Sequence, residues 1–233
     1  MKKFLLVLMA LMFTGCQNRP NEAPEPTQDH AAVFEESVNN NESEQKQRIL
    51  VAYFSRVGNT DFPEGTDTSS SASVIAEGNN LVGSTEYIAD IIVEQTGGDK
   101  FLIQTEMKYS ADYDELVEQQ QNQRNQGARP ALSSHVDDFD QYDVIYLGFP
   151  NWWYGMPMPV YTFLEEYDFS GKTIILFNTS GGSGFSDSAS VIEDLCPGAN
   201  VSEGYTASGS TVQSKREEII EWIREVNQLT EGA

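Results

Sequence analysis

Histidine and cysteine are scarce in this chain of 233 residues, which contains two of each. His30 and His135 are the two histidines, which are too few to favour a histidine-based metal site or a Ser-His-Asp triad. His135 precedes a predicted strand and is more simply a surface histidine. We therefore expect no metal and no nucleophilic triad.

Positive charge is also scarce, with 14 Lys and Arg residues against 36 Asp and Glu, for a net charge of −22. Binding to nucleic acid needs a surplus of cations to displace counterions from the phosphates, so nucleic acid is an unsuitable partner. The same shortage argues against docking on anionic lipid through a basic patch. The acidity serves either simple solubility or the docking of a basic partner.

The first residues have the pattern of an export signal. Lys2 and Lys3 precede an unbroken apolar run, Phe4 to Phe13, as in a signal peptide. That run is too short to span a bilayer, for which a helix needs about 20 residues. The sequence therefore predicts that this segment is removed.

The signal is followed by Phe13-Thr14-Gly15-Cys16, which resembles a bacterial lipobox, although Phe stands where Leu is usual. The resemblance implies cleavage after residue 15 and a lipid on Cys16, so that the chain is anchored on the extracytoplasmic side of the cell membrane. The alternative is an ordinary secretory signal with a coincidental cysteine. In the cleaved and lipidated form, Cys196 has no partner for an intrachain disulfide.

Residues 16–47 are polar and acidic, with three prolines and almost no large apolar side chains. Such a segment buries too little surface to offset the entropy of ordering. We interpret it as a flexible tether that holds the domain of residues 48–233 away from the membrane.

Apolar runs alternate with helical patterns from residue 48 onward. Three runs are continuous and predict strands covered on both faces: Ile49–Phe54, Val144–Phe149 and Thr173–Phe177. Shorter strands are expected at 100–104 and 201–205. Helices are expected over about 87–96, 113–126, 159–167, 186–195 and 213–229. The alternation predicts an α/β fold, a doubly wound five-stranded parallel sheet with helices on both faces.

Ligands of such sheets bind outside the carboxyl ends of the strands, where the strand order reverses. The first strand is followed there by Ser55-Arg56-Val57-Gly58-Asn59-Thr60, whose hydroxyls and backbone N–H groups suit a phosphate. This loop resembles the phosphate loop of the flavodoxin family, a hydroxyl residue, two variable positions and Gly-Asn-Thr. The resemblance extends over about 180 residues. It implies the flavodoxin-like fold, with FMN as cofactor and Ser55, Gly58, Asn59 and Thr60 at its phosphate.

The sequence departs from the family directly after that loop. Pro63 and Gly65 exclude a helix, and a second near-copy of the motif, Gly83-Ser84-Thr85, stands 25 residues later. We therefore predict an insertion over about 61–83. Our hypothesis is a composite phosphate site, with Ser55 and Arg56 from the strand end and Ser84 and Thr85 from the helix start. In that case Thr85→Ala weakens FMN binding more than Thr60→Ala does.

The third strand is followed by Pro150-Asn151-Trp152-Trp153-Tyr154. Adjacent aromatic side chains on a loop are costly to expose unless they cover something flat. In the family this position flanks the flavin, so we expect Trp152 or Trp153 to stack on it. The alternative is packing against Pro157, Met158 and the third helix.

The fourth strand is followed by Thr179-Ser180-Gly181-Gly182-Ser183-Gly184, where glycines let the backbone approach a ligand closely. In the family this loop lies along the pyrimidine side of the flavin and offers backbone N–H groups. A flexible turn without a ligand is the alternative.

Three functions follow from this pattern. The first is an FMN-binding electron carrier that docks a redox partner, basic or bound to the membrane. The second is an FMN-dependent NAD(P)H:quinone-type reductase, disfavoured because nicotinamide nucleotides are scarce outside the cytoplasm. The third is a flavin-free binding lipoprotein that kept the fold.

Overall fold

The computed structural model describes residues 47–68 and 73–230 of the chain. Strands and helices alternate along these residues. The strands are β1 (Ile49–Tyr53), β2 (Val74–Glu77), β3 (Asn80–Gly83), β4 (Asp99–Leu102), β5 (Val144–Pro150), β6 (Thr173–Ser180) and β7 (Asn200–Ser208). The helices are α1 (Ser84–Thr96), α2 (Tyr113–Asn125), α3 (Met158–Glu166), α4 (Ser188–Leu195) and α5 (Arg216–Thr230). The predicted signal peptide, Cys16 and nearly all of the predicted tether lie outside the described residues.

Five of the strands form one sheet in the order β4-β1-β5-β6-β7, and every neighbouring pair is parallel. This confirms the predicted flavodoxin-like α/β fold. The strand order reverses between β1 and β5, because the chain leaves β1 toward β4 and then returns to the other side. The carboxyl edge beside that reversal is where a ligand is expected.

The sheet is covered on both faces, which explains the continuous apolar runs. On one face, Val51 of β1 belongs to a cluster with Ile88 of α1 and Ile219 of α5. On the other face, Leu50 belongs to a second cluster, which includes Phe163 of α3. Because successive side chains of a strand point to opposite faces, one run of residues supplies both cores.

The insertion contains a β-hairpin that the sequence analysis did not assign. Strands β2 and β3 pair antiparallel around Gly78 and Asn79, with φ at +60° for Gly78. A glycine at the first position of a two-residue loop is the pattern of a type II′ turn. The short apolar pairs Val74-Ile75 and Leu81-Val82 around Gly-Asn were the signal for this hairpin. Helix α1 then begins at Ser84, three residues before the predicted start.

The helices of the described residues are not membrane spans, since none combines the necessary length and apolarity. Within the same residues, no group of three or more His, Cys, Asp or Glu side chains could hold a metal ion. Cys196 is buried and forms no disulfide, and burial raises the pKa of its thiol to about 11. The thiol therefore stays protonated at neutral pH.

Candidate functional site

A cleft of about 860 Å³ opens at the carboxyl edge of the sheet. Its volume lies within the range of about 300–1,000 Å³ that is usual for cofactor sites. None of the described residues that line it is Lys, Arg, Asp or Glu, although the chain is strongly acidic. The lining residues are Thr68, Ser73, Val74, Ser84, Tyr113, Leu116, Val117, Gln120, Asn151, Trp152, Trp153, Tyr154, Thr179, Ser180, Gly181, Gly182, Ser183, Ser208, Gly209 and Ser210.

The tight turn after β5 presents two aromatic side chains at the cleft. The backbone N–H of Trp152 donates to the Gly155 carbonyl at 2.9 Å, and the Gly155 N–H donates back at 3.2 Å. Trp153 and Tyr154 are the two central residues, with φ at +54° and +62°. Positive φ at both positions is the pattern of a type I′ turn, which normally takes Asn and Gly. Each bulky residue in this conformation costs about 1–2 kcal/mol.

The three aromatic residues of this segment have different surroundings. Trp152 is 9 % exposed and meets the rings of Phe54 and Tyr109 edge-on, at centroid distances of 5.2 and 5.7 Å. Trp153 and Tyr154 remain 42 % and 71 % exposed. Trp152 therefore belongs mainly to the core, whereas its two successors are available to a ligand. Pro150 ends β5 and does not line the cleft.

Asn151 supplies a polar group without a partner in the cleft. Its Nδ2 donates to the Gly184 carbonyl at 2.6 Å and to Ser186 Oγ at 3.0 Å. Its Oδ1 is buried and has no hydrogen-bond partner among the described residues. A buried acceptor without a partner costs about 1–3 kcal/mol, so this atom suits an N–H donor from a ligand.

The loop after β6 is organised around the Ser180 hydroxyl. Ser180 Oγ accepts hydrogen bonds from the N–H groups of Gly182 at 3.2 Å and Gly184 at 3.1 Å. Residues from Thr179 to Ser183 line the cleft, while the Gly184 carbonyl is used internally by Asn151 and Asn178. These hydrogen bonds fix the backbone of the loop, so the loop is an ordered wall of the cleft rather than a flexible turn.

The start of α1 closes one end of the cleft. The hydroxyls of Ser84 and Thr85 both hydrogen-bond to Thr179 Oγ1, at 3.1 and 2.9 Å. Gly83 lies so close to Ser55 that an added Cβ would stand 1.9 Å from Ser55 Oγ. The end of β1 and the start of α1 are therefore joined, as the composite hypothesis requires. Of Ser55, Gly83, Ser84 and Thr85, only Ser84 lines the cleft.

The first loop does not line the cleft, in contrast to the resemblance-based assignment of Gly58, Asn59 and Thr60. The Asn59 side chain is fully buried and donates to the carbonyls of Ser55 (2.9 Å) and Ile103 (3.0 Å). Its oxygen accepts from the backbone N–H and the hydroxyl of Thr105. These four bonds make Asn59 a structural connection between β1 and the segment after β4.

Arg56 is likewise directed into the protein and not to the cleft. Its Nη2 donates to the carbonyls of Ser110 at 3.0 Å and Ala111 at 3.2 Å, and its guanidinium lies 4.9 Å from the Phe62 ring centroid. Burial lowers the pKa of this guanidinium to about 10. The part of the composite hypothesis that placed Arg56 at the phosphate does not fit this position, because the guanidinium serves carbonyls of another loop.

Sequence reasoning missed half of the lining residues. They come from three places: the insertion, the inner face of α2 and the loop after β7. The loop after β7 reads Ser208-Gly209-Ser210, a hydroxyl and glycine pattern like the one after β6, and this was a usable signal. The α2 face was recognised as a helical stripe, but its contact with the cleft depends on how α2 packs.

The chain is similar to known proteins of this architecture. The sequence profile of the flavodoxin family matches residues 74–226. The chain belongs to the flavodoxin family. Flavodoxin 1 of Shigella flexneri is 26 % identical over 144 residues, covering 58 % of this chain and 68 % of that protein.

Two solved structures are similar over most of the flavodoxin domain. A candidate flavoprotein from Bacteroides uniformis is 30 % identical, with a TM-score of 0.58 over 77 % of this chain and 99 % of its own. One from Bacteroides eggerthii is 27 % identical, with a TM-score of 0.54 over 74 % and 97 %. Membership of the flavodoxin family supports FMN as the cofactor, and the volume, aromatic turn and unpartnered Asn151 acceptor of the cleft fit it.

Proposed function

We propose that this flavodoxin-family chain is an FMN-binding electron-transfer protein, exported and held at the membrane by a lipid on Cys16. The observation that carries the FMN assignment is the uncharged cleft at the strand reversal, with an exposed aromatic turn on one side and hydroxyls on the other. When bound, FMN supplies the redox chemistry, and the protein supplies position and environment.

The two ends of the cleft suit the two ends of the cofactor. Trp153 and Tyr154 would cover the flat ring system, and Asn151 Oδ1 would accept a hydrogen bond from its edge. Ser84 at the start of α1 would hold the phosphate, since the N-terminus of a helix favours an anion. No cation of the described residues lines the cleft, so hydroxyls and backbone N–H groups would carry this binding.

An acidic rim beside the cleft favours a basic redox partner. We define this rim by the exposed carboxylates of Asp112, Asp114, Glu115 and Asp187. The first three flank Tyr113, which lines the cleft, and Asp187 Oδ1 is 3.9 Å from the Cβ position of Gly155 in the aromatic turn. Complementary charge would steer such a partner onto the edge where the cofactor lies.

The carrier function is preferred to a reductase that uses NAD(P)H. Nicotinamide nucleotides are scarce outside the cytoplasm, where the proposed lipid anchor would hold the chain. A flavin-free binding lipoprotein is the remaining alternative.

An absorption spectrum of the full chain, purified from membranes in detergent, tests the cofactor directly. We expect flavin bands, or their appearance when FMN is added to the colourless protein. FMN should bind at least tenfold more tightly than riboflavin, because riboflavin lacks the phosphate that Ser84 would hold. A colourless protein that takes up neither compound would overturn the proposal and leave the flavin-free alternative.

The lipid anchor is tested separately from the cofactor. Cells that express the chain are supplied with labelled palmitate, and the wild type is compared with Cys16→Ser. We expect label and detergent-phase partitioning for the wild type and neither for the variant. Equal labelling of both proteins would contradict an anchor on Cys16, without bearing on FMN.

A further inference from the structure

Thr179 lies where three segments of the cleft lining meet. Its backbone carbonyl accepts the N–H of Asn151, in the segment after β5, at 2.7 Å. Its hydroxyl forms hydrogen bonds with the hydroxyls of Ser84 and Thr85 at the start of α1. Thr179 itself belongs to the end of β6 and lines the cleft beside Ser180. One residue therefore connects the side of the cleft assigned to the flavin ring with the end assigned to the phosphate.

The hydroxyls of Ser84, Thr85 and Thr179, here called the hydroxyl triad, are enclosed by protein. The three residues are 0 %, 1 % and 2 % exposed. Within the described part of the chain, these hydroxyls make no hydrogen bonds except the two among themselves. The loop after β7 closes on the triad, because a Cβ added to Gly209 would stand 3.3 Å from Ser84 Oγ. The triad can therefore meet a ligand at the cleft, which Ser84 and Thr179 line.

The number of protons in the hydroxyl triad leaves one hydrogen-bond donor unused. Each hydroxyl carries one proton, and the two hydrogen bonds use two of the three protons. A spare proton on Thr85 would be buried without an acceptor, which is unfavourable, because Thr85 does not line the cleft. Thr85 therefore donates to Thr179, and the spare proton belongs to one of the two members that line the cleft.

We propose that Thr179 is a positioning residue for the phosphate of FMN. Its hydroxyl accepts from Thr85, donates to Ser84 and so directs the remaining O–H of Ser84 into the cleft. The proposal rests on the proposed function, in which Ser84 holds the phosphate. Ser84 is the first residue of α1, where the helix favours an anion, so the spare donor is needed at this member of the triad.

Two physical effects make the Ser84 hydroxyl a better donor within the triad. Successive hydrogen bonds polarise one another, so the O–H at the end of the series donates more strongly. The hydrogen bond to Thr179 also favours one rotamer of the serine side chain before a ligand arrives. Binding then costs less side-chain entropy. Both effects concern the phosphate and not the flavin ring.

The test compares FMN with riboflavin, which has the same ring system and lacks the phosphate. The full chain and its Thr179→Val variant are titrated with each flavin, and the quenching of flavin fluorescence is followed. Valine keeps the shape of threonine and removes the hydroxyl. We expect Thr179→Val to weaken FMN binding about fivefold and to change riboflavin binding by less than about twofold, because only FMN uses the Ser84 donor.

Two matched variants control for packing and for the substitution itself. Thr179→Ser retains the hydroxyl, so its FMN affinity should lie within about twofold of that of the wild type. Thr173→Val is the same substitution at the first residue of β6, which does not line the cleft, and it should change the affinity for neither flavin.

A double-mutant cycle distinguishes a positioning residue from a second direct contact. Ser84→Ala should weaken FMN binding about tenfold, since the donor itself is lost. If Thr179 acts through Ser84, the addition of Thr179→Val causes no further loss, whereas two independent contacts would multiply to about fiftyfold. We expect the double variant to bind FMN as Ser84→Ala does.

The remaining outcomes overturn the inference in distinguishable ways. Wild-type protein that takes up no FMN overturns the proposed function and the role of Thr179 with it. A wild-type preference for FMN that persists unchanged in Thr179→Val overturns the positioning role alone. An equal loss of both flavins in Thr179→Val, or weak FMN binding by Thr179→Ser, would make Thr179 a packing residue. Multiplied losses in the double variant would make it a direct contact.

Discussion

Gly58-Asn59-Thr60 and Gly83-Ser84-Thr85 share the form Gly-x-Thr, and they have opposite environments. Gly58-Asn59-Thr60 follows β1 and is packed inside the protein, where the Asn59 amide makes four hydrogen bonds. Gly83-Ser84-Thr85 begins α1 and brings Ser84 to the cleft. The family profile matches residues 74–226, which include the second segment and not the first.

The two segments have different roles in this structure. The first segment keeps the connection between β1 and the region after β4, since its amide satisfies buried backbone groups there. The second segment keeps the helix start, because the hairpin β2–β3 returns the chain to the end of β1 at Gly83. A motif therefore identifies residue types, whereas their contacts decide which copy meets the ligand.

The largest effect that follows from this comparison is on stability. Asn59→Ala removes the buried amide and leaves the Ser55 and Ile103 carbonyls and the Thr105 N–H without a partner. We expect the free energy of unfolding to fall by about 4 kcal/mol, measured by urea denaturation. Thr60→Ala is the control, since Thr60 Oγ1 has no hydrogen-bond partner in the described structure and its removal should change stability little. A loss below 1 kcal/mol for Asn59→Ala would contradict its structural role.

A second substitution tests the close contact that joins the two segments. Gly83→Ala places a methyl group against Ser55 Oγ and should lower the free energy of unfolding by about 2 kcal/mol. Gly181→Ala is the matched control, because no atom lies within 4 Å of its Cβ position and its φ is not positive. Equal stability of the two variants in urea would show that β1 and α1 are not in contact there.

FMN affinity distinguishes the two segments directly. Ser84→Ala removes a hydroxyl from the cleft and should weaken FMN binding about tenfold, since a hydrogen bond to a charged group is worth about 1.5–3 kcal/mol. Thr60→Ala should leave the affinity unchanged. Riboflavin, titrated in parallel, should bind both variants as it binds the wild type. The reverse order, with Thr60→Ala the weaker binder, would restore the first loop as the phosphate site.

The smallest expected effect concerns the aromatic turn. Trp153→Asn combined with Tyr154→Gly gives this type I′ turn its preferred residues. We expect the free energy of unfolding of the apoprotein to rise by about 1 kcal/mol, because two strained residues are replaced and part of that gain is offset by lost contacts. FMN binding should weaken in the same variant. An apoprotein less stable than the wild type would mean that the aromatic pair is kept for packing.

Much of the fold was predictable because its signals are local. The run Val144–Phe149 is buried on both faces and became β5, and the sheet order follows from parallel crossovers. The hairpin β2–β3 was missed although Gly78-Asn79 is a turn signal, because the strands beside it have only two apolar residues each. At the site, residues 151–154 and 179–183 of the two predicted segments line the cleft, whereas Pro150 and Gly184 do not. Arg56, Gly58, Asn59 and Thr60 do not line the cleft, and their contact with FMN stays a prediction.

The sequence by itself determined the elements, the doubly wound sheet and the edge at which a ligand binds, since apolar periodicity and strand succession are encoded residue by residue. Only the tertiary structure decided that segment 83–85 rather than segment 58–60 reaches the cleft. It also decided that Trp152 is core while Trp153 and Tyr154 are exposed. The reason is physical: burial and hydrogen bonding depend on neighbours distant in the chain, such as Thr179 beside Ser84, and no local pattern records them.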